Sequence, residues 1–428
     1  MRQFVPVMLG AVIYLKCKFR DWQFVFLRPI LAELLALSGQ FAARTGAGVV
    51  AVKCLLTANR FSNGRRFRTL IHAHLDLIRK YSPELVGPAR LIEQIEQRCL
   101  ILAEPQIDRA RVIRKGVLLV KFTETSGALF ASVDPRVLTE LFHVVLEPSS
   151  AGYADPAILC WLNVKDPVLV QTPEHYDRVF LESLGSNLVA VPYGSGDWID
   201  PSRFSPPSKV EKKYDAICVA NFGWWKRVHV FLRGVAIASS QVAGYQALLV
   251  LASYGRTRWN QNDVERLLSF FGIRNNVKVM VSVPQHELSL LYSKSKVCVM
   301  PSLKEGSSRV IFEAMSSDIP VFVLAANVGV KKEYIHSETG VLVREQDLAR
   351  ELVRIARNEI HFSPRAWFVS HLGPLNTTRK LEADLDIHFP GEGWAQNGLH
   401  LKTNAPEAVF LDKNWNPRLS KWINLRVK

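Results

Sequence analysis

The sequence predicts an α/β chain of two lobes, each built on a parallel sheet, and three observations carry that expectation. The chain has 428 residues, more than one hydrophobic core usually supports, and its 48% apolar content marks it as globular. Short β-branched runs alternate with longer amphipathic stretches throughout, the pattern of parallel strands joined by helices. Near the middle, PYGSGDWIDPSRFSPPSKVEKK (residues 192–213) concentrates Pro, Gly, Ser and charge before a strongly apolar strand restarts, as an interdomain linker does.

On this reading residues 1–200 form an N-terminal lobe, 201–213 a linker, 214–362 a C-terminal lobe and 363–428 a tail with weak periodicity that packs back on the first lobe. The expected strands of the first lobe are GVVAVKCLL (48–56), GVLLVKF (116–122), FHVVLEP (142–148), VLVQT (168–172) and LVAVPY (188–193). In the second they are YDAICVANF (214–222), YQALLVLASYG (245–255), VKVMVSV (277–283), KVCVMPS (296–302) and PVFVLAA (320–326). FRTLIHAHLDLIRKY (67–81), with Leu70, Ile71, His74, Leu75 and Ile78 on one side, reads as a helix, as do DVERLLSFFGI and HELSLLYSKS.

Bulk properties narrow the chemistry. A net charge of +15 favours anionic partners without choosing among them, and nucleic-acid binding has no motif to support it. The six cysteines are scattered, with no CxxC pair, so they read as reduced thiols of a cytoplasmic protein. The uncharged run from Gln3 to Leu15 is too short to span a bilayer of about 30 Å. Lys16, Lys18 and Arg20 follow it with no small-residue cleavage site, so the segment suits either burial or a membrane surface rather than a secretory signal.

The most informative stretch is MPSLKEGSSRVIFEAMSSDIPVFVL (300–324). A strand ends at Pro301, a polar turn follows, and a helix is expected from about Ser308 to Met315. The turn therefore lies at a strand's carboxyl end and a helix's amino end, where unpaired N–H groups of Gly306, Ser307 and Ser308 suit a diphosphate. Glu305 before the helix and Glu313 within it are on the order of 10 Å apart, the separation of hexose and ribose in a nucleotide sugar. Carboxylates suit both ends, because each accepts two hydroxyl hydrogen bonds from a vicinal diol.

This stretch resembles the EX7E motif of glycosyltransferase family 4, with strand, PS, EG and EAM falling in order. The resemblance implies a GT-B fold of two Rossmann-like lobes and a retaining transfer from a nucleotide diphosphate sugar. It gives Glu305 to the hexose and anomeric centre, Glu313 to the ribose diol, and the amides of Gly306, Ser307 and Ser308 to the diphosphate. AICVANFGWWKRVHVFLRGV (216–235) is similar to the opening of the family's donor lobe, where an Arg and a later Lys neutralise the diphosphate. Lys226 takes the Lys position and Asn221 the Arg position, so a permanent cation is replaced by a hydrogen-bonding amide; Arg227 or another cation would have to compensate. VKVMVSVPQHELSLLY, VGVKKEYIHSETGVLV and VPYGSGDWIDPSRFSP extend the resemblance over about residues 189–360.

For the acceptor, a saccharide or lipid-linked saccharide, two sets of first-lobe residues are candidates. Arg65 and Arg66 lie in the basic loop TANRFSNGRRFR, and Thr123 and Glu124 in a turn after the strand GVLLVKF. His72, His74 and His143 sit in apolar segments and read as core residues. No cofactor or metal is expected: no DxD motif suited to a metal diphosphate is found, and no GxGxxG follows an early strand, which argues against a nicotinamide oxidoreductase. A nucleotide-sugar epimerase of the same fold and a non-catalytic nucleotide-sugar-binding subunit remain the alternatives. The implied setting is bacterial envelope or exopolysaccharide synthesis, in the cytoplasm or at the inner face of the cytoplasmic membrane.

Overall fold

The chain begins in helix. In the computed structural model, which describes residues 4–109, 111–252, 259–394, 398–404 and 409–425, α1 (Phe4–Trp22), a π turn over Gln23–Leu27, α2 (Arg28–Arg44) and α3 (Gly48–Phe61) follow one another. GVVAVKCLL is thus part of α3 and not a strand. Its buried residues Ala51, Val52, Leu55 and Leu56 recur at helical spacing, and packing on α2 outweighs the β preference of its valines. The two helices approach closely at Gly39, where a Cβ would stand 2.8 Å from Leu55 Cγ.

Next come α4 (Arg65–Ala73) and α5 (Leu75–Tyr81), one expected helix broken at His74, and α6 (Ile92–Glu96). Strand β1 (Cys99–Ala103), which carried no recognised signal, leads through the hairpin of β2 (Gln106–Asp108) and β3 (Arg111–Arg114) to β4 (Gly116–Lys121). The alternation α7 (Thr123–Ser132), α8 (Pro135–Leu141), β5 (Phe142–Glu147), α9 (Pro156–Leu159), β6 (Val168–Gln171), α10 (His175–Glu182) and β7 (Leu188–Val191) completes this part. The sheet order is β1-β4-β5-β6-β7, antiparallel at β1 and parallel elsewhere.

The second sheet is wholly parallel, in the order β10-β9-β8-β11-β12-β13. It comprises β8 (Ala216–Asn221), β9 (Ala247–Ala252), β10 (Val277–Val281), β11 (Cys298–Met300), β12 (Val321–Leu324) and β13 (Gly340–Val343). Ser253 to Gly255 of the expected β9 run lie outside the described residues. Its helices are α11 (Val228–Ser239), α12 (Gln261–Phe271), α13 (Gln285–Ser293), α14 (Arg309–Ser316) and α15 (Leu348–Ala356); α16 (Pro364–His371) and α17 (Gly373–His388) follow. Parallel strands buried on both faces explain the continuous apolar runs: Cys218 and Leu249 enter one core, Ile217 and Leu248 the other. Leu118 and Val120 of β4 likewise face away from Val117 and Leu119.

The fold class is therefore the expected one, two α/β units with parallel sheets, but the units divide differently from the predicted lobes. One unit joins residues 25–198 to 374–428; the other joins the segment ending at Phe24 to residues 199–373. Helix α1 packs on α12 through Tyr14 against Phe270 and Phe271. The expected linker is anchored in the same unit, with Phe204 buried and Arg365 donating to the Pro201 and Phe204 carbonyls at 3.3 Å. From Pro374 the C-terminal segment packs on the first sheet: Leu381, Leu385, Trp394 and Leu399 share a core with Leu100, Leu102 and Val117.

Candidate functional site

The second sheet's central strands β8 and β11 are parallel neighbours, so their carboxyl ends open on the same edge. After β8 the chain forms a 3-10 turn over Trp224–Lys226; after β11 it forms the loop 301–308 that enters α14. The Leu303 amide donates to the Trp225 carbonyl at 2.9 Å, tying the loops together. At this junction Lys226 Nζ reaches both oxygens of Glu305, at 2.6 and 2.8 Å, with the two side chains 17% and 9% exposed. Residues 79 positions apart are thus one polar unit at a strand edge.

Backbone from a third loop supports Glu305. Its amide donates to the Val328 carbonyl at 2.8 Å, and Gly329 follows with φ +107. A Cβ at Gly329 would stand 1.9 Å from the Glu305 carbonyl oxygen, so only glycine permits this approach.

Helix α14 begins at Arg309, one residue from the expected start, with Ser308 as its N-cap and no side-chain cap hydrogen bond. Its first-turn N–H groups have no intrahelical acceptor, and the Gly306–Ser308 segment lies at their mouth. Just over one turn further on, Glu313 is buried at 4% exposure. Its Oε1 accepts from Arg309 Nη2 at 2.9 Å and Gln285 Nε2 at 3.5 Å, and its Oε2 from Tyr292 Oη at 3.2 Å. Gln285 and Tyr292 belong to α13, so the segment resembling a base-binding helix meets the carboxylate. Arg309 is legible in the sequence as an i−4 partner of Glu313; Gln285 and Tyr292 carry no signal there, because only folding brings α13 beside α14.

The cations differ from expectation. Asn221 ends β8, and its Oδ1 accepts from the Gly223 amide at 2.9 Å, a turn that keeps the amide group of the side chain for other partners. Arg227 does not supply the missing positive charge, because it is buried and already neutralised. It sits in the left-handed region, φ +49, and donates to both oxygens of Asp21 at 3.1 and 2.9 Å and to Glu345. Asp21 also bonds His229 at 3.0 Å, and Lys18 bonds Glu345 at 3.0 Å. Burial opposes ionisation of Asp21, but hydrogen bonds and charge from His229 and Arg227 outweigh it and hold the carboxyl below its ordinary range. This network, to which α1 contributes Lys18 and Asp21, was invisible in the sequence, since nothing local ties residue 21 to residue 227.

The first-lobe candidates are placed separately. Arg65 and Arg66 open α4, and Arg66 pairs with Glu33 of α2 at 2.7 Å. Their neighbour Arg60 pairs with Asp155 at 2.7 Å. Thr123 and Glu124 occupy the first turn of α7 instead of a loop, after a left-handed Phe122 with φ +71. Thr123 Oγ1 accepts from the Ser149 amide at 3.2 Å, and Glu124 lies 3.5 Å from Arg98 beside a cavity of about 340 Å³ lined also by Arg90, Gln94 and Thr125. Among the described residues no hydrogen bond or ion pair joins the two groups. His143 is a core residue as expected, buried, bonded to Glu392 at 2.9 Å and facing Phe389. The sequence Asp384-Leu385-Asp386 lies on α17, where Asp384 accepts from Tyr193 Oη at 2.8 Å and Asp386 from the Trp394 amide at 2.7 Å.

Residues 213–358 match the family model of glycosyl transferases group 1. No curated protein matches the chain. Among solved structures, the C-terminal domain of the glycosyl transferase group 1 family protein LpcC from Francisella tularensis is similar at 19% identity, over 40% of this chain and 97% of that one, with a TM-score of 0.36. The pneumococcal O-GlcNAc transferase GtfA, solved with UDP and GlcNAc, is similar at 14% identity over 59% of this chain, with a TM-score of 0.44; the match spans about half, 54%, of that protein. Anabaena Alr3699/HepE, solved with UDP-glucose, is similar at 16% identity over 63% of this chain and 78% of that one, with a TM-score of 0.49. The family match over the second sheet and its helices supports a glycosyltransferase.

Proposed function

We propose that the chain is a retaining glycosyltransferase that moves a hexose from a nucleotide diphosphate sugar to a saccharide or lipid-linked saccharide, without a metal cofactor. The observation that carries this reading is the contact of Lys226 with Glu305 at the mouth of α14, within the segment that matches group 1 glycosyl transferases. Lys226 has three donors, two of them on Glu305, which leaves one for an anionic oxygen of the donor diphosphate. The first-turn amides of α14 add partial positive charge where the leaving phosphate gains negative charge. Glu305 orients the hexose and supports its anomeric carbon. Glu313 grips the ribose diol with the acceptor capacity left after Arg309 and Tyr292. The bond from anomeric carbon to phosphate breaks as the acceptor hydroxyl arrives on the same face, and the hydroxyl proton passes to the departing diphosphate. Bacterial envelope or exopolysaccharide synthesis is the setting that goes with this activity.

Glu305→Gln is expected to lower kcat by at least about 100-fold with little change in donor Kd, the scale of losing one electrostatic contact to a transition state. Glu313→Ala is expected to weaken donor binding more than turnover. Near-normal turnover in Glu305→Gln would sink the assignment.

A second reading, donor binding without transfer, draws on the absence of a cation at Asn221 and the commitment of Arg227 to Asp21 and Glu345. Donor binding with neither transfer nor hydrolysis across a panel of nucleotide sugars and acceptors would favour it. Conversion of a radiolabelled donor to its epimer with no acceptor present would favour an epimerase.

A further inference from the structure

The outer face of α1 has no part in the donor site, yet it exposes a row of large apolar side chains to water. At about 100° per residue, Met8, Val12, Leu15, Phe19 and Trp22 fall within about 40° of one line along the helix. They are between 46% and 65% exposed, and the Phe19 and Trp22 rings stack at 5.8 Å. The opposite face is held by protein: Gly10, Cys17 and Asp21 are buried, and a Cβ on Gly10 would meet the Arg266 carbonyl oxygen at 2.2 Å. A helix covered on one side only normally turns charge to the other. Here large apolar side chains take that place, and such a strip marks an interaction surface.

The charges around the strip identify its partner. Lys16 and Arg20 border it on one side and Lys18 on the other, while the only acidic residue of α1, Asp21, is on the buried face. With a chain charge of +15, this is an apolar strip with a basic margin, the pattern of a helix lying at an anionic lipid surface. The stretch Pro6–Arg44 is long and apolar enough to cross a bilayer by length and composition. Within it, α1 carries Lys16, Lys18, Arg20 and Asp21 in its last two turns, a charge density too costly to bury in hydrocarbon, so α1 itself suits the membrane surface and not its interior.

We propose that α1 docks the protein on the surface of an anionic bilayer. Met8, Val12, Leu15, Phe19 and Trp22 enter the boundary between headgroups and acyl chains, and Lys16 and Arg20 meet the lipid phosphates. The proposal is independent of the donor reading, since vesicle binding and nucleotide-sugar binding are measured separately.

The test is co-sedimentation of the full chain with phosphatidylglycerol/phosphatidylcholine vesicles and with phosphatidylcholine vesicles alone. The comparison is with a triple variant Leu15→Glu/Phe19→Glu/Trp22→Glu, whose substitutions lie on exposed positions. The wild type is expected to bind the anionic vesicles, to bind them more weakly at high salt, and to leave them on an alkaline carbonate wash. The variant is expected to lose at least about tenfold in partition, with circular dichroism and nucleotide-sugar binding unchanged. Equal binding by the variant, or no binding by the wild type, would overturn the proposal. So would resistance to carbonate, which indicates insertion across the bilayer, or a wild-type dimer that the variant converts to monomer without any vesicle binding. If the variant does not fold, Lys16→Glu/Arg20→Glu takes its place with the same expected loss.

Discussion

Two buried ion pairs show what single side chains do here. Arg227 occupies a left-handed conformation that costs an ordinary residue about 1–2 kcal/mol, and its bonds to Asp21 and Glu345 hold it there, one residue after Lys226. Asp21→Ala should therefore lower Tm and reduce turnover by misplacing the Lys226 turn, with a smaller loss than Lys226→Ala, which removes the cation itself; steady-state kinetics on both variants checks this. In the other unit Lys402 is fully buried against Glu147, with its ammonium 4.9 Å from the Trp198 ring centre. Replacing both members, Lys402→Met with Glu147→Met, should leave stability in urea denaturation unchanged or somewhat higher, because the desolvation of a buried ion pair offsets its attraction. Burial pushes Lys402 down to about 8 from 10.5. Between those values the unfolded chain keeps a proton that the folded chain has lost, so this residue's contribution to stability rises with pH across the window. The urea midpoint of the wild type relative to the double variant should rise from pH 8 to pH 10; a flat difference would contradict the shift.

At the scale of elements, the helices most at odds with expectation are those whose form is set by packing on another helix and not by local preference. Valines in GVVAVKCLL favour a strand locally, but a helix places Ala51, Val52, Leu55 and Leu56 on one buried side, and Gly39 lets α2 approach it. α1 depends on Gly10 in the same way. Gly10→Val should force α1 off α12 and cost about 1–3 kcal/mol, read as a lower Tm and as faster proteolysis within the first 24 residues. By contrast β8, β9, β11 and β12 were legible as strands, since buried parallel strands are continuous apolar runs. The start of α14 was legible to within one residue, because Gly306 and the serines that follow make a turn before an apolar helical pattern.

At the scale of the molecule, each unit has its own sheet and its own cores on both faces. A nucleotide diphosphate bound at Lys226 and α14 should therefore stabilise residues 199–373 directly. At a hundred times its Kd it adds about 2.7 kcal/mol to that unit, a shift of roughly 5–10 °C for a unit of this size. Hydrogen exchange should slow in β8, β11 and α14 before it slows in β4 or β5, and uniform protection would argue against a donor site confined to this unit. The sequence by itself determined the α/β class, the parallel strands of the second sheet, and the order of Lys226, Glu305, the Gly306–Ser308 turn and Glu313, because periodicity and turn chemistry are properties of neighbouring residues. Only the tertiary structure decided that α1 belongs with residues 199–373, that Arg227 is spent on Asp21 and Glu345, and that Tyr292 and Gln285 hold Glu313. Those contacts join residues at least 21 positions apart, and the free energy of burying them together has no counterpart in any local pattern.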